Sequence, residues 1–263
     1  MVINKRHGGT GAPLVLIHGI GHRLQAWEPV FDRLAERHEV IAIDLPGFGL
    51  SPVPDGGMPR DMAATVAAMA AAFQEWGLDR PHVAGNSLGG AIGLELAAAG
   101  AVRSATAFSP AGFFTAAERR RALRILNTLR ANTFAPKPVI RATLRSPALR
   151  AYSFGALVAR PSQLDVERAY GDALALRSGR GFRPVARSAR HYAFDGSRLD
   201  PAVPVTVGWG ERDKIFGVHQ AERVRTALPG VRVVTMPDCG HVPMSDDPDL
   251  VTALILETTH TAA

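Results

Sequence analysis

Gly85-Asn86-Ser87-Leu88-Gly89 stands between a segment at 81–84 and an alanine- and leucine-rich stretch at 88–99 that stops at Gly100. The first reads as a short buried strand and the second as a helix closed by glycine, so the pentapeptide is a strand-to-helix turn. A turn this tight forces Ser87 into a strained backbone conformation, and the missing side chains of Gly85 and Gly89 relieve the clash. The Ser87 hydroxyl then projects at a helix N-terminus, where the backbone dipole favours developing negative charge. Alone the signal is moderate, because glycine and serine are common in turns.

Working outward, Pro13-Leu-Val-Leu-Ile-His18 and Val40-Ile-Ala-Ile-Asp44 are continuous apolar runs of the kind found in buried parallel strands. Between them Trp27, Val30, Phe31 and Leu34 recur at helical spacing, which makes a β-α-β unit. A helix over 61–76 stopping at Gly77 and a strand over 102–108 continue the rhythm. From 112 to 200 it breaks: helical patches interrupted by prolines appear, with no strand pattern. It resumes with a strand at 203–209, a helix at 218–228, a strand at 231–236 and a closing helix at 248–259. The expected fold is α/β, a doubly wound, mostly parallel sheet formed by 1–111 and 201–263, with a helical insertion at 112–200. Ligands of such sheets bind beyond the C-terminal strand ends, where the polar residues discussed below converge.

The composition fits this reading. The 263 residues are 46% apolar, 21% charged and 6% aromatic, which excludes a disordered or fibrous chain. A lone cysteine, Cys239, forbids an internal disulfide and removes a cysteine-based metal site. No apolar run reaches the length of a membrane span and residues 1–10 contain no apolar signal core, so a cytoplasmic location is expected. The net charge of +6 is local: the insertion holds 17 Lys/Arg against 6 Asp/Glu. Those cations are nearly all arginines spread among Ala, Leu and Pro without interleaved aromatics, the pattern of a solvated helical surface, so no nucleic-acid partner is expected. The histidines show no ligand spacing, and neither a metal nor a cofactor is expected.

Two further residues give the turn its meaning. Asp213 closes Gly208-Trp-Gly-Glu-Arg-Asp213 just after one strand, and His241 closes Asp238-Cys-Gly-His241 just after the next. Serine, aspartate and histidine in this order fit a nucleophile, an orienting acid and a base. Together with His18-Gly19 and Asp44-Leu-Pro-Gly-Phe-Gly-Leu-Ser51, these motifs resemble those of the α/β-hydrolase superfamily, in order, over the whole chain except the insertion, whose position fits the family's cap. The resemblance implies a serine hydrolase. Ser87 would attack a carbonyl carbon, His241 would carry the proton, and Asp213 would orient the imidazole. The backbone N–H of Leu88 and, by resemblance to the family's His-Gly loop, that of Ile20 would form the oxyanion hole, with His18 orienting the loop.

Pocket residues expected around this triad are His22, Asn86, Phe113, Phe114 and Val242, with Leu126, Phe134, Leu144, Phe154 and Leu157 as further candidates in the insertion. Asp44, Asp238, Asp246 and Asp247 read as loop or helix-cap residues. Serine at the nucleophile position separates the chain from dehalogenases and epoxide hydrolases of the superfamily, which carry aspartate there. A small-molecule carboxylic ester ranks first as substrate. The Gly-Asn-Ser-Leu-Gly-Gly stretch is also similar to that of carbon–carbon hydrolases of ring-cleavage diketo acids, for which Arg187 or Arg190 would clamp the carboxylate, although Val242 stands where those enzymes usually carry tryptophan. A third reading is a ligand-binding protein of this fold without turnover. The short stretch before His18 predicts a seven-stranded sheet with a truncated first edge, one strand coming from 2–5, in a monomer or a homodimer that covers that edge.

Overall fold

The computed structural model describes residues 2–262. Its sheet has seven strands: β1 (Lys5–Gly8), β2 (Pro13–Ile17), β3 (Glu39–Ile43), β4 (His82–Asn86), β5 (Ser104–Phe108), β6 (Val205–Gly210) and β7 (Arg232–Met236). Their order is β1-β3-β2-β4-β5-β6-β7, antiparallel only at β1. The edge strand lies slightly later than the sequence predicts. Asp44 N–H still donates to Asn4 O at 2.9 Å, but Asn4 N–H turns to Ser51 Oγ at 2.8 Å and its side-chain amide donates to Asp44 Oδ2 at 2.7 Å, and the paired strand runs from Lys5 opposite Ile43.

Alternation along the central strands feeds two cores. Leu14, Leu16, Val40 and Ala42 face one side with α1 (Glu28–Ala35) and α10 (Pro248–His260), while Val15, Ile17, Ile41 and Ile43 face the other with α2 (Met62–Glu75), α3 (Leu88–Ala98) and α9 (Gln220–Ala227). With both faces covered, the strands read as continuous apolar runs.

Between β5 and β6 the chain forms α4 (Ala116–Asn132), α5 (Lys137–Arg145), α6 (Pro147–Phe154), α7 (Val166–Ser178) and α8 (Phe182–Ser188). Pro138 and Pro147 sit in the first turns of α5 and α6, where no intrahelical N–H bond is lost, so they open helices rather than break them. None of the described residues forms a helix long and apolar enough to cross a membrane.

Two buried histidines set an acid limit on this fold. His18 and His82 are both held near pKa 4 instead of the usual 6.5, His18 by burial and His82 by burial with His38 and Arg103 adding to it. The unfolded chain therefore binds their protons first as pH falls. Stability is full above about pH 6.5 and drops toward pH 4, by about 1.4 kcal/mol per pH unit for each histidine. Urea midpoints at pH 7.5 and 5 are expected to show this fall, and His82→Asn to remove its share; a flat profile would contradict neutral burial of the two rings.

Candidate active site

The site lies where the strand order turns back on itself, at the C-terminal ends of β2 and β4, a place where crevices open in sheets of this kind. Ser87 follows β4 with φ +56° and ψ −110°, the strained conformation expected. A Cβ on Gly85 would come within 2.1 Å of the Gly89 carbonyl oxygen, and one on Gly89 within 2.1 Å of that of Ile17. Both glycines are thus demanded by backbone packing. The Ser87 hydroxyl does not cap α3.

His241 and Asp213 meet as expected. Nδ1 of the imidazole lies 2.8 Å from Asp213 Oδ2, and both side chains are almost fully buried. The other carboxylate oxygen accepts the N–H groups of Ile215 and Phe216, each at 2.8 Å, so the loop fixes the carboxylate before it reaches the ring. Trp209 Nε1 donates to Phe216 O at 2.8 Å and anchors that loop to the end of β6. Phe216, which the sequence did not single out, presses edge-on against the imidazole with ring centroids 5.0 Å apart. Ser87 and His241 line one cavity. Among the described residues their side chains form no hydrogen bond to each other; such contacts commonly tighten only around substrate.

The His18 loop is held from within. Leu45 N–H donates to His18 Nε2 at 2.9 Å, which puts the ring proton on Nδ1, and Nδ1 donates to Gly19 O at 2.7 Å. Gly19 O also accepts His22 N–H at 3.2 Å. Because the peptide is planar and trans, a pinned Gly19 carbonyl sends the Ile20 N–H the opposite way. Neither that N–H nor the Leu88 N–H has a hydrogen-bond partner among the described residues. A Cβ on Gly19 would sit 3.2 Å from Ser87 Cβ, so the loop passes directly beside the serine.

The cavity above Ser87 measures about 460 Å³. His22, Asn86 and Val242 are on its wall, as are Leu126, Leu144, Phe154 and Leu157. Asn86 is occupied by the framework, its amide donating to His241 O at 2.8 Å and Phe108 O at 3.2 Å, and so joins the serine turn to the histidine loop. Three expected aromatics are not on the wall. Phe113 packs on Phe194, and Phe114 packs on Phe216, the ring that presses against the imidazole. Phe134 is half exposed and stacks under Arg130 and Arg177. Arg187 and Arg190 are exposed and do not reach the cavity.

Two further carboxylates hold the loops around the site. Asp44 is structural as expected: Oδ1 accepts Leu24 N–H at 2.7 Å and Oδ2 accepts Leu50 N–H at 2.9 Å. Asp246 is more than a loop residue. It accepts the N–H groups of Ala159 and Arg160 from the insertion and of Gly240 beside His241, at 2.8–3.1 Å. Asp247 is the one that caps α10. Nothing in the sequence distinguishes these neighbours, because Asp246 acts on chain 86 and 87 residues away.

A model of the alpha/beta hydrolase family matches residues 14–254. The chain belongs to that family. The dihydrolipoyllysine-residue acetyltransferase component of the acetoin cleaving system of Cupriavidus necator is 30% identical over 267 residues, covering 95% of this chain and 64% of that one. This hydrolase-family chain thus spans less than two thirds of that relative's length. Lipase 3 of Moraxella sp. TA144 is 26% identical, over 93% of this chain and 76% of the lipase. Among solved structures, a bacterial membrane phospholipase A superposes with a TM-score of 0.77 at 26% identity, covering 99% of this chain and 83% of that one.

Proposed function

We propose that this hydrolase cleaves neutral small-molecule carboxylic esters through an acyl-enzyme, with residues 112–200 as the lid of the site. The observation that carries this reading is the cavity wall: it holds Ser87 and His241 beside an apolar surface of Leu126, Ile140, Leu144, Phe154 and Leu157, and no lysine or arginine. Ser87 attacks the ester carbonyl while His241 Nε2 takes its proton; the tetrahedral oxyanion is met by the Leu88 and Ile20 N–H groups. His241 returns the proton to the departing alcohol, and a water activated by the same imidazole releases the acid. Asp213, locked by two backbone donors, keeps the ring proton on Nδ1 and stabilises the imidazolium.

A diketo acid would bring a carboxylate into this cavity, where Asp172 is the charged neighbour and no cation lines the wall. Burying an unpaired carboxylate is costly, which argues against the carbon–carbon hydrolase reading. The test is turnover of p-nitrophenyl esters of increasing chain length beside a ring-cleavage diketo acid, with a fluorophosphonate probe to mark the nucleophile. Ester turnover without diketo acid cleavage, and label on Ser87, are expected. Label on another residue, faster diketo acid cleavage, or wild-type ester rates equal to those of Ser87→Ala would overturn the reading, the last in favour of a ligand-binding protein.

A further inference from the structure

The inserted segment also reaches the oxyanion loop. α7 carries Asp172, whose Oδ1 accepts Arg23 Nε at 3.1 Å and whose Oδ2 lies 3.5 Å from His22 Nε2. All three side chains are mostly buried, the carboxylate 13% exposed. Arg23 reaches it across the face of α7 at Gly171, where a Cβ would fall 2.2 Å from Nη2. One turn earlier, Arg168 donates to Ser245 Oγ at 3.0 Å, so the helix runs along the core here. Burial raises the Asp172 carboxyl, but His22, Arg23 and Arg168 outweigh it and hold it below the usual carboxylate value.

We infer that Asp172 is a positioning residue for the oxyanion hole, fixing the 19–23 loop from the insertion through His22 and Arg23. The chain of contacts is short. His22 N–H is one of the two donors that pin the Gly19 carbonyl, and that carbonyl sets the direction of the Ile20 N–H. Asp172 holds the side chain of the same residue, His22, and of the next, Arg23. Releasing this end of the loop leaves His18 as the carbonyl's remaining anchor and lets the Ile20 donor wander. A donor that is off target in the transition state lowers kcat while leaving ground-state binding nearly intact. No motif marks Asp172 because it lies 149 residues from its arginine partner.

The inference rests on the ester-hydrolase reading, and the experiment separates the two. Asp172→Asn keeps the shape of the side chain while removing its charge. With p-nitrophenyl butyrate, kcat is expected to fall about 10- to 100-fold, part of the loss from deleting an oxyanion donor outright, with KM within about threefold. Affinity for an alkylboronic acid, which mimics the tetrahedral oxyanion, should fall by the same factor as kcat/KM, a change that loss of folding stability alone would not give. Arg23→Lys, which keeps the charge but loses the planar fork, should show a smaller drop of the same kind and serves if the first variant does not fold. A kcat within twofold of wild type, a loss carried by KM alone, or unchanged boronate affinity would overturn the role of Asp172 while fluorophosphonate labelling of Ser87 continued to support the hydrolase reading.

Discussion

Ser87→Ala is expected to lower kcat on p-nitrophenyl esters by about 10⁵-fold or more, leaving only the slow turnover that binding and oxyanion donors supply without a nucleophile. The fold should not notice. The hydroxyl makes no hydrogen bond among the described residues and does not cap α3, so truncation leaves no orphaned partner there, and the thermal midpoint should move by no more than about 2 °C. Residual activity within tenfold of wild type in a preparation free of other esterases would move the nucleophile elsewhere.

Asp213→Asn carries the second large effect, about 10⁴-fold in kcat, by a mechanism visible in the loop. Ile215 and Phe216 aim two N–H groups at Oδ1, a position only an oxygen can fill. The amide must therefore place its oxygen there and its NH₂ against His241 Nδ1. That nitrogen becomes an acceptor, and the ring proton moves to Nε2, the atom that has to receive the proton from Ser87. Steady-state rates of this variant from pH 6 to 10 test the account. The argument fails if kcat stays within tenfold of wild type, since the imidazole would then need no fixed tautomer.

The grouping of Ser87, Asp213 and His241 was legible because each follows a strand, and strand ends in a parallel sheet are brought together by topology alone. Gly85 was legible for a local reason too, the clash of a turn with itself, whereas Gly89 is also demanded by the Ile17 carbonyl of β2, which only the fold brings near. The wall of the cavity was not. α5 and α6 are short and opened by prolines, so periodicity gives them no stable face, and Phe113, Phe114 and Phe134 lie in the connections on either side of α4, where no periodicity applies: Leu126 and Phe154 are on the wall, whereas those three rings found partners in other aromatic rings and arginines. Asp172 and Asp246 were beyond reach for another reason. Each is an acidic residue in ordinary surroundings along the chain, and its significance comes from amides, a guanidinium or an imidazole that only the folded chain brings near. The sheet edge came at Lys5–Gly8 rather than 2–5, since the Asn4 N–H goes to the Ser51 hydroxyl instead of to the neighbouring strand.

In the proposed mechanism Asp246 joins two stretches that otherwise divide the labour, one holding the bond-making groups after strand ends and the other most of the apolar surface a substrate would meet. Exchanging residues 112–200 for the corresponding stretch of a relative is therefore a graft with two seams: the donor must bring backbone amides to Asp246 where Ala159 and Arg160 stand, and a carboxylate to Arg23 where Asp172 stands. If the insertion is the lid proposed above, sewing both seams should let acyl preference be transplanted, and leaving either open should give a chimera with a new roof over loose machinery.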